Sequence, residues 1–199
     1  MILAGRHASG FADPVSDSQA SFRTLMNSFA HPALARPYRP LAPAWGAMQP
    51  GVVTALLSLV DHDTPVWFDE LLASDRDVHA QVAFHCGATI VQDPAQAAFA
   101  FISDASRIGS LERFARGEPD FPDRSTTVIV QTRRLSTEPY RFHGPGMREP
   151  RGFGAEGLSA DFAAQWRMNR ESFPLGVDLV FITATEVAAL PRSLRMLEA

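Results

Sequence analysis

The chain contains no lysine: all eighteen of its basic residues are arginine. With no ε-amine, it has neither a Schiff-base nucleophile nor a phosphate-binding P-loop, whose signature ends in Lys followed by Ser or Thr. Cysteine is nearly absent too. The single Cys86 excludes an internal disulfide and a multi-cysteine metal cluster, and it agrees with a reducing compartment. Long apolar runs are missing: the most extended, VVTALLSLV at 52–60, is too short to span a bilayer. The opening MILAGRHASGFADP has no apolar core behind a basic start. The expectation is a cytoplasmic protein without membrane association. An excess of basic charge is also lacking. The formal net charge of −4 argues against a nucleic-acid binder and leaves small anions or acidic protein surfaces as partners for local arginine clusters such as Arg133-Arg134 and Arg148 to Arg151. No G-x-S-x-G nucleophile elbow occurs, and nothing in the sequence supplies Cys86 with an activating cation.

What is present is an ordinary globular composition, with 46% apolar and 20% charged residues in 199. That length predicts one domain over 1–199, with 1–14 as a flexible N-terminal segment. Residues 15–29 read as an amphipathic helix, with Ser16 and Gln19 as a capping box and Phe22, Leu25, Met26 and Phe29 on its apolar face. The proline-rich HPALARPYRPLAP at 31–43 carries no regular structure. Further helices are expected over 50–60, over 75–86 with Asp75 or Asp77 near the start and Gly87 as the stop, and over 159–170 with Ser159 as cap. Strands are expected at TPVWFD, ATIV, AFAFI, STTVIVQT, YRFHG and GVDLVFIT, with a turn and a last strand in ALPRSLRM. This alternation predicts a three-layer α/β/α fold around a mixed sheet.

Candidate chemistry is sparse. Asp61, His62 and Asp63 are competent metal ligands, but adjacent residues fan apart, so a capping aspartate at a helix end is the better reading. His85 and Cys86 lack the ligand count of a zinc site and read as a helix C-terminus. His7, His31, His79 and His143 are possible general bases, each equally explained as a structural histidine. The stretch RFHGPGMREPRGF at 141–153 poses the sharpest question. Pro145 followed by Gly146 is the signature of a type II turn, because proline fixes φ near −65° and glycine accepts the positive φ after it. A phosphate cradle needs consecutive free N–H groups, and Pro145 removes one. Gly144, Gly146 and Met147 keep theirs, while Arg148 and Arg151 supply charge. Near the C-terminus, Asp178 begins an apolar strand, with Arg192 as either its partner or an anion ligand. His143, Gly144, Gly146, Arg148, Arg151, Asp178 and Arg192 are thus the candidates for binding an anion or a partner, with no catalytic, metal or cofactor set among them.

An ordered series of segments carries a resemblance. FRTLMNSFAHPA, LLSLVDHDTPVWF, GEPDFPDRSTTVIVQ, FHGPGM, FPLGVDLVFI and ALPRS, spanning about 20–195, are similar to the PhnH family of carbon–phosphorus lyase subunits. The resemblance implies a bacterial cytoplasmic protein needed for growth on phosphonates. In that pathway the G, H and I subunits, with J and L, displace adenine from ATP by a phosphonate. The product is ribose 1-methylphosphonate 5-triphosphate, whose C–P bond a radical enzyme of the complex later cleaves. The implied role is an essential accessory subunit with no cofactor and no autonomous activity, partnered by the G, I and J types and a homodimer when isolated. The implied fold is a vestigial pyridoxal-phosphate transferase core, and a chain without lysine cannot hold that cofactor covalently. Surface arginines, with Trp45, Trp67 and phenylalanines outside the core, are the expected interface residues. The alternatives are a free-standing enzyme for a phosphorylated metabolite, with His143 as base and Arg148 or Arg151 as anion clamps, and a regulatory binding module.

Overall fold

The stretch TVIVQ forms β6 (Thr127–Gln131), whose side chains are buried on both faces apart from partly exposed Thr127. A strand buried on both faces must lie inside a sheet, and its β-branched residues suit that position. The computed structural model, which describes residues 9–198, places it in a six-stranded sheet ordered β1-β10-β9-β6-β3-β2. These are β1 (Arg36–Pro37), β10 (Glu186–Leu190), β9 (Asp178–Ile182), β3 (Phe99–Ile102) and β2 (Val66–Phe68). β9, β6, β3 and β2 run parallel, while β10 adds antiparallel to β9 and β1 antiparallel to β10. The expected α/β class with a mixed sheet is therefore present.

Register sorts the core into two halves. Ile129 is aligned with Phe101 and Val180, and all three belong to one apolar cluster. Val128 and Val130 are aligned with Ala100, Ile102, Leu179 and Phe181 in a second cluster. Helices α1 (Pro14–Ala30), α2 (Pro50–Leu59), α3 (Glu70–Ser74) and α4 (Arg76–His85) contribute Leu25, Val53, Leu56, Leu72 and Val82 to the first. The second receives Phe162 and Trp166 from α5 (Phe162–Glu171), together with Phe142 and Phe153 from a small antiparallel sheet. That sheet is ordered β11-β7-β8, from β7 (Leu135–His143), β8 (Arg151–Ala155) and β11 (Arg195–Met196). Phe142 and Trp166 meet edge to face at 5.6 Å between centroids, a favoured aromatic geometry. A hairpin of β4 (Arg116–Glu118) and β5 (Phe121–Ser125) completes the strands.

Several local expectations are corrected. Helix α1 is capped by Asp13, whose carboxylate accepts from the Ser16 N–H at 3.2 Å and the Ser16 hydroxyl at 2.8 Å. Ser16 is thus a donor inside the first turn, because Pro14 at N1 is pre-shaped for the helix and moves its start upstream. Helix α5 begins after Asp161, and Ser159 gives its carbonyl to the Phe162 N–H and its side chain to Asp161. ATIV is not a full strand: Ile90 makes a single parallel bridge to Val66 on the side of β2 away from β3. The proline-rich crossing holds the two-residue β1. Helix α3, strand β10 and the β4–β5 hairpin are additions. His7 and most of the 1–14 segment lie outside the described residues. No helix among the described residues is long and apolar enough to cross a membrane.

Candidate functional site

In an open α/β sheet the usual ligand position lies beyond the carboxyl ends of parallel strands, where neighbouring strands send their connections in opposite directions. Here that point falls between β2 and β3. From β2 the chain leaves through α3 and α4 to the outer Ile90 bridge, whereas from β3 it leads over the other face to β6. The crevice is filled by the chain's own polar groups. Asp69, 3% exposed, caps α3 by accepting from Leu72 N–H at 3.2 Å, and its other oxygen accepts from the Ser103 N–H and hydroxyl. Gln131 accepts from the Gln49 N–H at 2.6 Å and donates to the carbonyls of Ala47 and Ser103 at 3.2 and 3.0 Å. A satisfied network of this kind rigidifies the crevice and leaves its polar groups engaged within the chain.

The predicted site residues lie elsewhere. Met147 donates to the Gly144 carbonyl at 3.2 Å and Gly146 has φ +80°, so residues 144–147 form the tight turn that Pro145-Gly146 predicts. The turn seats on the end of α1: a Cβ on Gly146 would lie 2.7 Å from the Ala30 carbonyl oxygen. Arg151 donates to the Pro32 carbonyl at 2.8 Å. Gly144 lies against Leu194, which would be 2.9 Å from an added Cβ. His143 is exposed at the end of β7, aligned with Arg195 of β11, and Arg148 is exposed in the loop.

Asp178 and Arg192 form their own unit. Asp178 accepts from the Arg192 backbone N–H at 2.7 Å and from Nε at 3.2 Å, while Arg192 Nη1 donates to the Pro122 carbonyl at 2.8 Å. The guanidinium is thereby engaged with Asp178 and Pro122, the first of its two predicted roles. Beside it runs a cleft of about 340 Å³ lined by Phe29, Phe173, Pro174, Asp178, Arg192 and Ser193 among others. The separated segments HPA, FHGPGM, FPLG and LPRS thus converge on one side of the molecule, around the end of α1.

The same helix carries an apolar groove. Phe22, Met26 and Phe29 of α1, with Leu59, Phe99 and Ile129, line about 300 Å³. The expected apolar face is real, but only Leu25 of the four is fully buried; Phe22 and Met26 are 46% and 40% exposed. Helical periodicity marks the stripe and is silent on whether this chain covers it. The tryptophans go the other way. Trp45 is 1% exposed and stacks on the His85 ring at 5.0 Å, while Trp67 lies under the Arg113 guanidinium, 4.7 Å from its centroid. Neither is a free interface residue.

Asp61 and His31 are structural in geometry, and Cys86 is held as a protonated thiol. Asp61 accepts from the Asp63 N–H at 3.1 Å and the Thr64 hydroxyl at 2.6 Å, closing a turn after α2, and these bonds lower its pKa. Among the described residues no three His, Cys, Asp or Glu side chains are placed to hold a metal ion. His31 Nδ1 lies 3.1 Å from the Asn27 carbonyl at the end of α1. Burial, and secondarily the Asp61 charge, pushes the Cys86 thiol up to about 11, the opposite of an activated nucleophile.

Comparison with known proteins extends this picture over the whole chain. The family described as bacterial phosphonate metabolism protein (PhnH) matches residues 9–197. The chain is 35% identical over 198 residues to alpha-D-ribose 1-methylphosphonate 5-triphosphate synthase subunit PhnH of Rhizobium meliloti, covering 96% of this chain and 95% of that one. It is 29% identical over 177 residues to the putative C-P lyase subunit protein HtxG of Stutzerimonas stutzeri, covering 88% and 83%. With a match that begins before α1 and ends after β11, the chain belongs to the PhnH family.

Proposed function

We infer that this chain is an accessory subunit of a phosphonate-activating carbon–phosphorus lyase complex and docks onto a partner subunit through the α1 groove. The observation that carries the reading is the pairing of a closed crevice with an open apolar face. Where an α/β sheet would take a ligand, the side chains of Asp69 and Gln131 both bond to the backbone of Ser103, while Phe22 and Met26 stand exposed over a groove of about 300 Å³. Large apolar side chains clustered at one surface favour burial against another protein. The Rhizobium meliloti relative is named as a subunit of a synthase, which is the context such a surface fits.

In this reading the assembly joins a phosphonate oxygen to the ribose of ATP as adenine departs, and the catalytic groups reside on other subunits of the G, I and J types. The chain is cytoplasmic, requires no cofactor, and forms a homodimer in isolation. Its mixed sheet is a relative of the pyridoxal-phosphate transferase core in which the absent lysine has removed the cofactor's attachment point. The test is co-expression with the other subunits followed by size-exclusion chromatography. Co-elution that Phe22→Asp with Met26→Asp abolishes supports the reading. A chain that stays in its own peak refutes it.

A further inference from the structure

Three arginines face one another between α5 and β11. Arg167 and Arg170, three residues apart on α5, share a helix face, and Arg195 of β11 completes an open groove of about 350 Å³ with Met196 and Glu171. The frame is fixed from beneath, where the buried Trp166 donates its indole N–H to the Leu194 carbonyl at 3.2 Å. Glu171 is the one carboxylate on the lining, and none of the three arginines is in an ion pair among the described residues. Arg170 is held in place: its guanidinium carbon stands 4.4 Å over the Phe173 ring, and its Nε is buried with no acceptor. Stacking on the ring fixes the plane of that guanidinium, so its terminal N–H groups are donors whose direction is set in advance. The basic surface continues along β7, where exposed His143 is aligned with Arg195 and exposed Arg141 lies two residues earlier on the same face.

We propose that this groove binds the linked phosphoryl groups of a small polyphosphate. Three guanidinium forks around one groove match several phosphate oxygens better than a single carboxylate, because each fork donates in a plane to two oxygens at once. The groove is shallow, open and of small-ligand size. The chain's net charge of −4 disfavours a long polyanion such as nucleic acid and favours a small one that meets only the local arginines. The ligand is the same whether the phosphates are free or carried by a nucleoside, and the two sources separate on titration with inorganic triphosphate and with ATP.

Isothermal titration of the isolated full chain with inorganic triphosphate tests the groove independently of any assembly. Saturable binding is expected, weakening as salt rises. Arg195→Ala and Arg170→Gln should each weaken it about tenfold or more, the loss of a charge-assisted hydrogen bond. Glu171→Gln should tighten it about threefold by removing a like charge. Arg133→Ala, whose residue lies near Glu156 instead, should leave it unchanged. Equal binding by all the variants, or heat from a polyglutamate peptide with none from triphosphate, would overturn the assignment. ATP binding as tightly as triphosphate identifies the phosphates as the recognised part.

Discussion

Asp178, the first residue of β9, and Arg192, two residues past the end of β10, clasp the two ends of a hairpin, and the arginine reaches on to Pro122 in β5. Both side chains are about 85% buried, and each retains several hydrogen bonds, which offsets the desolvation of the charges. Removing one partner leaves the other charged and unpaired. Arg192→Ala is expected to cost about 2 to 4 kcal/mol in urea unfolding, with Asp178→Ala similar and the double mutant far from additive. A loss below about 0.5 kcal/mol, the range of exposed pairs, would show that the clasp contributes nothing.

Gly146 gives a second, local test. Its φ of +80° and the Ala30 carbonyl 2.7 Å from where a Cβ would sit both oppose a side chain. Gly146→Ala should therefore destabilise by about 1 to 3 kcal/mol, partly by lifting the turn from the end of α1. Equilibrium denaturation measures the cost, and a neutral variant would mean that the turn yields freely.

How the sequence and the structure correspond follows from physical range. Elements governed by neighbours along the chain are legible: Pro50 opens α2, Asp75 and Gly87 bound α4, and Pro145-Gly146 makes its turn. So is β6, because a β-branched run declares its own burial. What depends on distant residues is not. The exposure of Phe22 and Met26, the burial of Trp45 and the meeting of Arg167, Arg170 and Arg195 are set by which element crosses which. Of the site candidates, the need of Asp178 for a partner was legible because an acid sits there in apolar company, while the choice of Arg192 between that partner and an anion ligand was made only by the fold. The arginine groove left one signal, the i, i+3 spacing on α5, which alone marks only a solvated face.

The crevice network makes a third prediction. Gln131→Leu removes the acceptor of the Gln49 N–H and the donor to Ser103, leaving buried backbone groups unpaired. A loss of about 2 to 4 kcal/mol is expected by thermal or urea unfolding. If stability is unchanged and the variant gains affinity for a small ligand there, the crevice is a site and its closure is not structural.

Alkaline pH supplies a fourth. Burial raises the Cys86 thiol from 9.0 to about 11, and it raises the Tyr38 phenol as well. The folded chain therefore keeps protons that the unfolded chain releases, so stability falls as pH climbs from about 9 toward 11. Below about 9 neither group contributes a pH dependence. At pH 8 iodoacetamide should modify Cys86 roughly a hundredfold more slowly than it modifies the unfolded chain. Rapid modification in the native state would contradict the burial of this thiol.

The most direct test of the central claim is the elution of this chain with the remaining lyase subunits on a calibrated size-exclusion column. The account predicts that the wild type moves into the high-mass peak and that Phe22→Asp with Met26→Asp returns it, still folded by circular dichroism, to the position of the isolated protein. A wild type that never leaves that position, or a double variant that assembles as well as the wild type, would contradict it.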